Sequence, residues 1–204
     1  MRIKSIVKRE RARQGQVWME TMLYTLVALG IISAVIAFAA PKIREAQEKA
    51  VIERGLDRLR TMDALILEVG TLPTDNARTL TLDIPRGMLV IDGVKEEIVL
   101  SIPEVRKPYS EVGIVVQDGR VQVLTTKTDK THTITLTISY QAQNINVTSN
   151  AKERVQELTQ APTPYTLVIR NQASIQVVME GATTKVKKVP FINIEVKKTS
   201  ATAA

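Results

Sequence analysis

The pattern of hydrophobic and polar positions divides the chain into three parts with different periods. From Thr21 to Pro41 there is no charged residue, and the run is apolar on every side. From Ile43 to Val69 apolar residues recur at three- and four-residue steps, apart from one gap of six, as in an amphipathic helix. From Thr79 onward the period is two, which indicates β-strands. The chain is therefore expected to be α+β, with a long N-terminal helix followed by an all-β, antiparallel, sandwich-like head domain.

The first two parts predict one nearly continuous helix over Val17–Val69, bent at Pro41 and loosened at Gly55. Gly70 and Pro73 are expected to end it. The apolar steps do not keep a strict heptad, which argues against a coiled-coil stalk. The stripe expected to pack against the head domain is Ile43, Ala46, Ala50, Leu56, Leu59, Met62, Ile66 and Val69.

Ten segments of the third part are predicted to be strands: 79–84, 87–92, 96–102, 111–117, 120–126, 132–140, 144–149, 165–170, 173–180 and 191–198. Gln117–Arg120 is typical of a two-residue hairpin turn, and Asp92–Gly93 and Asn171–Gln172 are weaker turn signals. One short helix is predicted at 150–158, because Asn150 and Glu153 have the spacing of a capping box.

Charge is concentrated at the N-terminus. The 204 residues carry a net charge of +7, and residues 1–15 supply +5 of it from six basic residues and one acid. The rest of the chain is close to neutral, so the basicity belongs to a leader, and nucleic acid is not indicated as a partner. There is no cysteine, which excludes disulfides and thiolate metal sites.

The uncharged segment has the length of a membrane span, since about 20 residues at ~1.5 Å each cover the ~30 Å hydrocarbon core. The basic leader predicts a cytoplasmic N-terminus, with everything after Pro41 outside the membrane. Trp18 and Tyr24 suit the inner interface. The residues expected to face lipid are Thr21, Leu23, Leu26, Leu29, Ile31, Ile32, Val35, Ile36 and Phe38.

Three interpretations of this segment compete. A plain signal anchor leaves Glu20, at the head of the apolar run, without a purpose. A secretory signal peptide could use the small residues of Ala37–Ala40 as its cleavage site, but its apolar region would be long and would begin beside an acid. The third interpretation uses the residues before the run as well.

The run R-Q-G-Q-V-W-M-E, residues 13–20, resembles a type IV prepilin, in particular the archaeal class III signal peptide group. In that family a prepilin peptidase cuts on the cytoplasmic side of the apolar segment, which stays in the mature protein. Gly15 matches the residue before the cut, Gln16 the first mature residue and Glu20 the fifth-position glutamate. Trp18 and Tyr24 stand where archaeal pilins often have serine and leucine, so the subfamily (pilus, archaellum or another filament) stays open.

The chemistry of such a cut gives Glu20 a partner. Cleavage would create an α-amino group with a reference pKa near 8, largely protonated at neutral pH. Gln16 and Glu20 are four apart on one helical face, at the helix N-terminus, where the macrodipole favours a carboxylate. The resemblance further implies that Glu20 meets the new amine of a neighbouring subunit, so that processing controls assembly.

The resemblance implies a structural, non-enzymatic subunit with three regions: leader 1–15, transmembrane and polymerisation helix 16–70, and head 71–204. Its implied partners are copies of itself or related pilins, the prepilin peptidase, the pilus assembly platform and, before assembly, membrane lipid. The rival hypothesis is a monomeric, membrane-anchored, extracellular module that binds a sugar or another ligand. An ectoenzyme has the least support.

The head domain offers little chemistry. His132, the only histidine, is placed on the threonine-rich, solvent-facing side of its strand, and no catalytic residue, metal or cofactor is expected. Lys185, Lys187, Lys188, Lys197 and Lys198 are interpreted as edge-strand lysines that discourage pairing. Asn146 begins an N-V-T sequon and is a candidate N-glycosylation site on the outer side of the membrane.

Overall fold

The structure, a computed structural model of the chain, describes the backbone of residues 3–141, 146–149, 152, 154–180 and 183–198. Side chains are described for residues 17–141, 147–149, 152, 154–172 and 191–197. The chain divides into two compact units, Met1–Gln47 and Glu48–Ala204.

A single helix, α1, runs over Ile3–Thr71. It ends two residues beyond the expected Val69 but begins at Ile3 rather than Val17, so the backbone of residues 3–16 is helical as well. The helix continues through Pro41 and Gly55. A long N-terminal helix followed by β-sheets confirms the α+β class.

The C-terminal part of α1 supplies one wall of the hydrophobic core. Its buried residues are Ile52, Leu56, Leu59, Met62, Ile66 and Val69. Five of these belong to the predicted stripe, and Ile52 fills the gap of six in it. Ile43, by contrast, is 56% exposed, because it precedes the unit that begins at Glu48.

The strands, numbered in chain order, are β1 (Ala77–Leu82), β2 (Met88–Asp92), β3 (Glu97–Val105), β4 (Val115–Asp118), β5 (Val121–Thr128), β6 (Thr131–Ser139), β7 (Asn146–Ser149), β8 (Val155–Thr159), β9 (Tyr165–Glu180) and β10 (Thr183–Lys198). They form a four-stranded sheet in the order β1-β9-β10-β7 and a six-stranded sheet in the order β4-β5-β6-β3-β2-β8. All neighbours are antiparallel except β7 and β10. The predicted antiparallel β architecture is thus present as two sheets.

Gly55 is a point of close approach between α1 and the six-stranded sheet. A Cβ at this position would lie 2.9 Å from Leu100 Cδ2, 3.4 Å from Ile102 Cδ1 and 3.6 Å from Leu136 Cδ1. Contacts this short leave no room for an added methyl group unless Leu100 moves. The glycine therefore serves close packing of the helix on β3 and β6, and not the loosening that the sequence indicated.

The predicted helix at 150–158 is wrong. Val155–Thr159 is strand β8, which pairs antiparallel with β2 in the register Leu89↔Leu158. Asn150 and Glu153, the two capping-box residues, lie outside the described residues. The helix signal was local, whereas burial of Leu158 against Leu89 and backbone pairing with β2 are tertiary and outweigh it.

The predicted turns had different outcomes. The hairpin at Gln117–Arg120 is confirmed, with Gly119 and Arg120 as its two loop residues and Gly119 at φ +64°. A hairpin also follows Asp92, but its loop has four residues because Asp92 pairs with Glu97. The turn at Asn171–Gln172 is wrong, because both residues lie within the continuous strand β9.

Asn171 instead caps the C-terminus of α1. Its side-chain Nδ2 donates to the carbonyl of Val69 at 3.2 Å and to that of Leu72 at 2.8 Å. Its backbone N–H donates to the carbonyl of Asn76, and its own carbonyl accepts from the N–H of Asp75. The last carbonyls of a helix have no partner inside the helix, so this buried side chain satisfies them and joins helix to sheet.

We expect Asn171→Ala to lower the free energy of unfolding by about 2 kcal/mol. The Leu72 carbonyl would lose the Asn171 donor, and the Val69 carbonyl would keep only the backbone N–H of Leu72. Gln172→Ala is the matched control, with an expected change under about 0.5 kcal/mol. Urea titration read out by pulse proteolysis measures both. An Asn171→Ala variant as stable as Gln172→Ala would show that the cap contributes nothing.

Candidate functional site

The N-terminal part of α1 is apolar and exposed. The helix contains an 18-residue window of mean hydropathy 2.3, none of it buried, and is long and apolar enough to span a membrane. Every predicted lipid-facing residue with a large side chain is at least 54% exposed: Leu23, Leu26, Leu29, Ile31, Ile32, Val35, Ile36 and Phe38. A surface of this kind requires an apolar environment from lipid or from other apolar helices.

The aliphatic hydroxyl groups of this segment are satisfied inside the helix. Thr21 donates to the carbonyl of Val17 at 2.9 Å, Thr25 to that of Met22 at 2.9 Å, and Ser33 to that of Leu29 at 2.8 Å. A membrane helix needs this arrangement, because hydrocarbon offers no partner for a free hydroxyl. These polar residues therefore do not oppose insertion.

The processing residues lie within the helix. Gly15 and Gln16 have helical backbone, and their side chains are outside those that the structure describes. Glu20 is exposed, one turn after Gln16. The helical backbone thus provides the four-residue spacing on which the predicted amine–carboxylate relation depends. The Gly15–Gln16 cut and the pairing of Glu20 stay predictions.

The sequence did not single out a buried polar cluster between α1 and the β4–β5 hairpin. Arg120 Nε donates to Asp63 Oδ2 at 2.8 Å, and the Asp63 side chain is only 10% exposed. The Arg120 guanidinium lies 5.8 Å from the ring centroid of Tyr140. One turn along the helix Arg60 pairs with Asp118. Two Arg–Asp pairs thus join the helix to the hairpin. The helix supplies the aspartate of one pair and the arginine of the other, and the two hairpin residues are the neighbours of Gly119 in the chain.

Tyr140 is fully buried at the centre of this cluster. Its hydroxyl and Asp63 Oδ1 have no hydrogen-bond partner among the described residues. Burial raises the pKa of Tyr140 above its ordinary range, the nearby Asp63 carboxylate raises it further, and Arg120 offsets part of the effect. The phenol therefore stays neutral, and the cluster, in which the Arg120 side chain is 35% exposed, is a contact that holds the helix to the hairpin.

His132 lies on the opposite side of its strand from the one predicted. It lies on the same face of the strand as Ile134, Leu136 and Ile138, which are all fully buried. His132 itself is half-buried, and its Nδ1 has no hydrogen-bond partner among the described residues. The prediction of a solvent-facing position was wrong, because the period-two pattern was assigned with the histidine in the wrong register. Within the described ranges, no group of three His, Asp or Glu residues could hold a metal ion.

One pocket lies between α1 and the six-stranded sheet. It encloses about 20 Å³, room for about one water molecule. Its walls are mainly apolar and include Val51, Gly55, Leu59, Leu89 and Leu100, with Arg54, Arg58 and Arg86 beside them. Arg58 already pairs with Asp83 at 2.7 Å. The pocket is too small for a sugar.

The candidate glycosylation sequon begins strand β7, at one edge of the four-stranded sheet. The side chain of Asn146 is not described, but Val147 and Thr148 are fully buried. The Thr148 hydroxyl lies 3.4 Å from Asn193 Oδ1 and 3.5 Å from the Ile192 carbonyl. An enzyme that recognises both Asn146 and Thr148 would therefore have to act before β7 joins the sheet.

The five predicted edge lysines all lie on strand β10. Residues 183–190 pair only with β9 within the described part of the chain, since β7 pairs with 191–194. Lys197 is exposed, while the side chains of Lys185, Lys187, Lys188 and Lys198 lie outside the described set. The backbone therefore places the first three lysines at a sheet edge.

Comparisons of this chain with protein-family models, with curated proteins and with solved structures found no match.

Proposed function

We propose that the chain is the structural subunit of a type IV pilus-like surface filament. It is inserted through its apolar helix with the N-terminus cytoplasmic and the head outside, cleaved after Gly15 by a prepilin peptidase, and assembled by the pilus platform through that same helix. The observation that carries the proposal is the combination of Gly15, Gln16 and Glu20 with an apolar helix whose surface is wholly exposed.

In this mechanism the membrane and the filament provide the same kind of environment in turn. Lipid covers the apolar side chains before assembly, and neighbouring helices cover them afterwards. Glu20 at the membrane boundary costs less than the ~3 kcal/mol estimated for a charge at the bilayer centre. The protonated amine of Gln16 on an adjacent subunit offsets that cost, and it exists only after cleavage.

Gly30 gives independent support for helix–helix packing. A Cβ at this position would meet nothing within 4 Å, so the packing of this chain does not require a glycine there. Glycine in a membrane helix lets a second helix approach closely, because association in lipid depends on packing of small residues.

The head domain is proposed to be sandwich-like. In support, the buried residues of both sheets and of α1 belong to one hydrophobic cluster, including Leu59, Leu136, Leu167 and Ile194. Such a head would remain folded in the monomer and in the filament, since its core does not depend on the apolar segment of the helix.

The test is the fate of the N-terminus. Full-length chain expressed with an archaeal prepilin peptidase should give a mature protein that begins at Gln16, by intact mass and N-terminal sequencing. When the pilus assembly platform is expressed as well, it should give filaments by electron microscopy. Gly15→Val should retain the leader and give no filaments, because a branched side chain fills the position that the peptidase requires to be small. Gln14→Ala, the adjacent change, is the control and should be processed normally.

Two results would contradict the proposal. Processing of Gly15→Val at the same bond would exclude the peptidase assignment. A mature chain beginning at Gln16 that stays monomeric under all assembly conditions would favour the membrane-anchored binding module instead.

A further inference from the structure

Strand β4 forms one edge of the six-stranded sheet and carries an exposed apolar patch. Val112, Ile114, Val115 and Val116 are 43%, 48%, 52% and 40% exposed. β4 pairs with β5 on one side, and its other side has no strand partner in the part of the chain that the structure describes. The patch thus combines apolar side chains with an open row of backbone donors and acceptors.

Apart from its short length of four residues, this edge lacks the usual protection against association. Proteins commonly place lysine, proline or a bulge on an exposed edge strand. No charged residue or proline occurs between Glu111 and Asp118, and Asp118 is already paired with Arg60. An apolar edge strand without such residues is a site to which another strand can add.

The opposite edge of the same sheet is also open. β8 pairs with β2 on one side only, as far as the described ranges extend. Val155, at the start of β8, is 50% exposed, and Val94 is 69% exposed. The segments that contain them are joined by a hydrogen bond from the Gly93 N–H to the Arg154 carbonyl. The Thr159 carbonyl accepts from the Tyr165 hydroxyl at 2.9 Å, so the stretch considered is Val155–Leu158. Within it the Glu157 carbonyl accepts from Gln156 Nε2 at 3.4 Å, a long hydrogen bond that an added strand would replace.

We propose that β4 of one copy pairs with β8 of the next copy, so that the six-stranded sheet continues from head to head along the filament. The inference rests on the proposed filament function. Pairing of two different edges is a heterologous contact, which generates an open helical assembly, whereas β4 pairing with β4 would stop at two copies.

The strand directions agree with this contact. Five antiparallel steps separate β4 from β8, so the two edges of the sheet run in opposite directions. If a second copy is added in the same orientation, its β4 therefore runs antiparallel to β8 of the first copy. All the strand pairs within this sheet are antiparallel as well. Val115 and Glu157 lie on the same outer face, because their cross-strand partners Leu124 and Val90 are not buried.

The size of the patch determines when the contact forms. Four half-exposed side chains offer on the order of a few hundred Å² of apolar surface, below the roughly 800 Å² per partner of a stable complex. The edge therefore does not associate free heads. Within a filament the helices hold neighbouring heads together, and the high effective concentration makes a weak contact form.

Cysteine cross-linking tests the contact cleanly, because the chain has no cysteine. In the full-length chain, Val115→Cys combined with Glu157→Cys should give a ladder of dimers, trimers and longer species when assembled filaments react with a short bismaleimide. Multimers should be at least tenfold more abundant than in detergent-dispersed chain. Val115→Cys combined with Thr79→Cys, on exposed β1 of the other sheet, is the matched control and should give no ladder.

The outcomes separate the two proposals. Filaments with no ladder would overturn the β4–β8 contact and leave the filament function standing. Dimers from Val115→Cys alone, with nothing longer from the pair, would indicate β4–β4 pairing and would also overturn it. Failure to form any filament, with the leader retained, would overturn the proposed function and this inference with it.

Discussion

Replacing Glu20 by glutamine is expected to reduce filament assembly at least tenfold while leaving removal of the leader intact. The substitution keeps the shape of the side chain and removes its charge, so the protonated amine of a neighbouring Gln16 loses its partner. A charge-assisted hydrogen bond in a low-dielectric helix bundle is worth ~1.5–3 kcal/mol, which corresponds to roughly 10- to 100-fold per contact. Sedimentation of filaments and electron microscopy measure the loss.

Two variants show whether the charge of Glu20 is responsible. Glu20→Asp keeps the charge and should retain part of the assembly. Glu53→Gln makes the same chemical change on the same helix, at an exposed residue 3.6 Å from Lys49, and should assemble normally. Filaments from Glu20→Gln equal to those from Glu53→Gln would exclude the pairing role, even if cleavage after Gly15 were established.

Asp63→Asn is expected to lower the free energy of unfolding of the head by about 2–3 kcal/mol. Removing one partner of a fully buried ion pair costs ~3–5 kcal/mol, because the other charge stays buried. The Arg120 side chain is 35% exposed and partly solvated, so the expected cost falls at or below the lower end of that range. Pulse proteolysis in urea is the suitable measurement, since the one tryptophan, Trp18, lies in the apolar helix and does not report on the sheets.

Asp57→Asn is the matched control for this prediction. Asp57 lies on the same helix, its side chain is 74% exposed, and it is 3.4 Å from Arg60. Exposed pairs contribute ~0.2–1 kcal/mol at most, so the control should change stability little. Equal effects at Asp57 and Asp63 would show that the buried cluster does not hold the helix to the β4–β5 hairpin.

The features that follow a regular period were predictable from the sequence. The apolar segment, the stripe from Leu56 to Val69 and the strand from His132 to Tyr140 repeat over many residues, so each is determined by local geometry and burial together. The hairpin at Gly119 was predictable for a different reason, since a tight turn needs the positive φ that glycine adopts easily.

The wrong predictions arose where a residue type or spacing that is typical of one local structure also occurs in another. Asn171 was interpreted as a turn residue, but its amide caps a helix 99 and 102 residues earlier in the chain. The capping-box spacing at Asn150 indicated a helix, but Val155–Thr159 finds an antiparallel partner in β2. Neither partner can be seen from the neighbouring residues, because hydrogen bonds between distant segments depend on the fold.

By itself, the sequence determined the α+β class of the protein: a basic N-terminal segment, an uncharged span of membrane length, an amphipathic helix and a β domain. It also contains the Gly15–Gln16–Glu20 run that motivates the proposed function. These follow from composition and periodicity, which act over neighbouring residues. Only the tertiary structure decided that Asp63 meets Arg120, that Asn171 meets the helix end, and that β4 and β8 are the open edges of one sheet. Those facts depend on which distant segments pack together, and the free energy of that packing is not encoded in any single stretch of the chain.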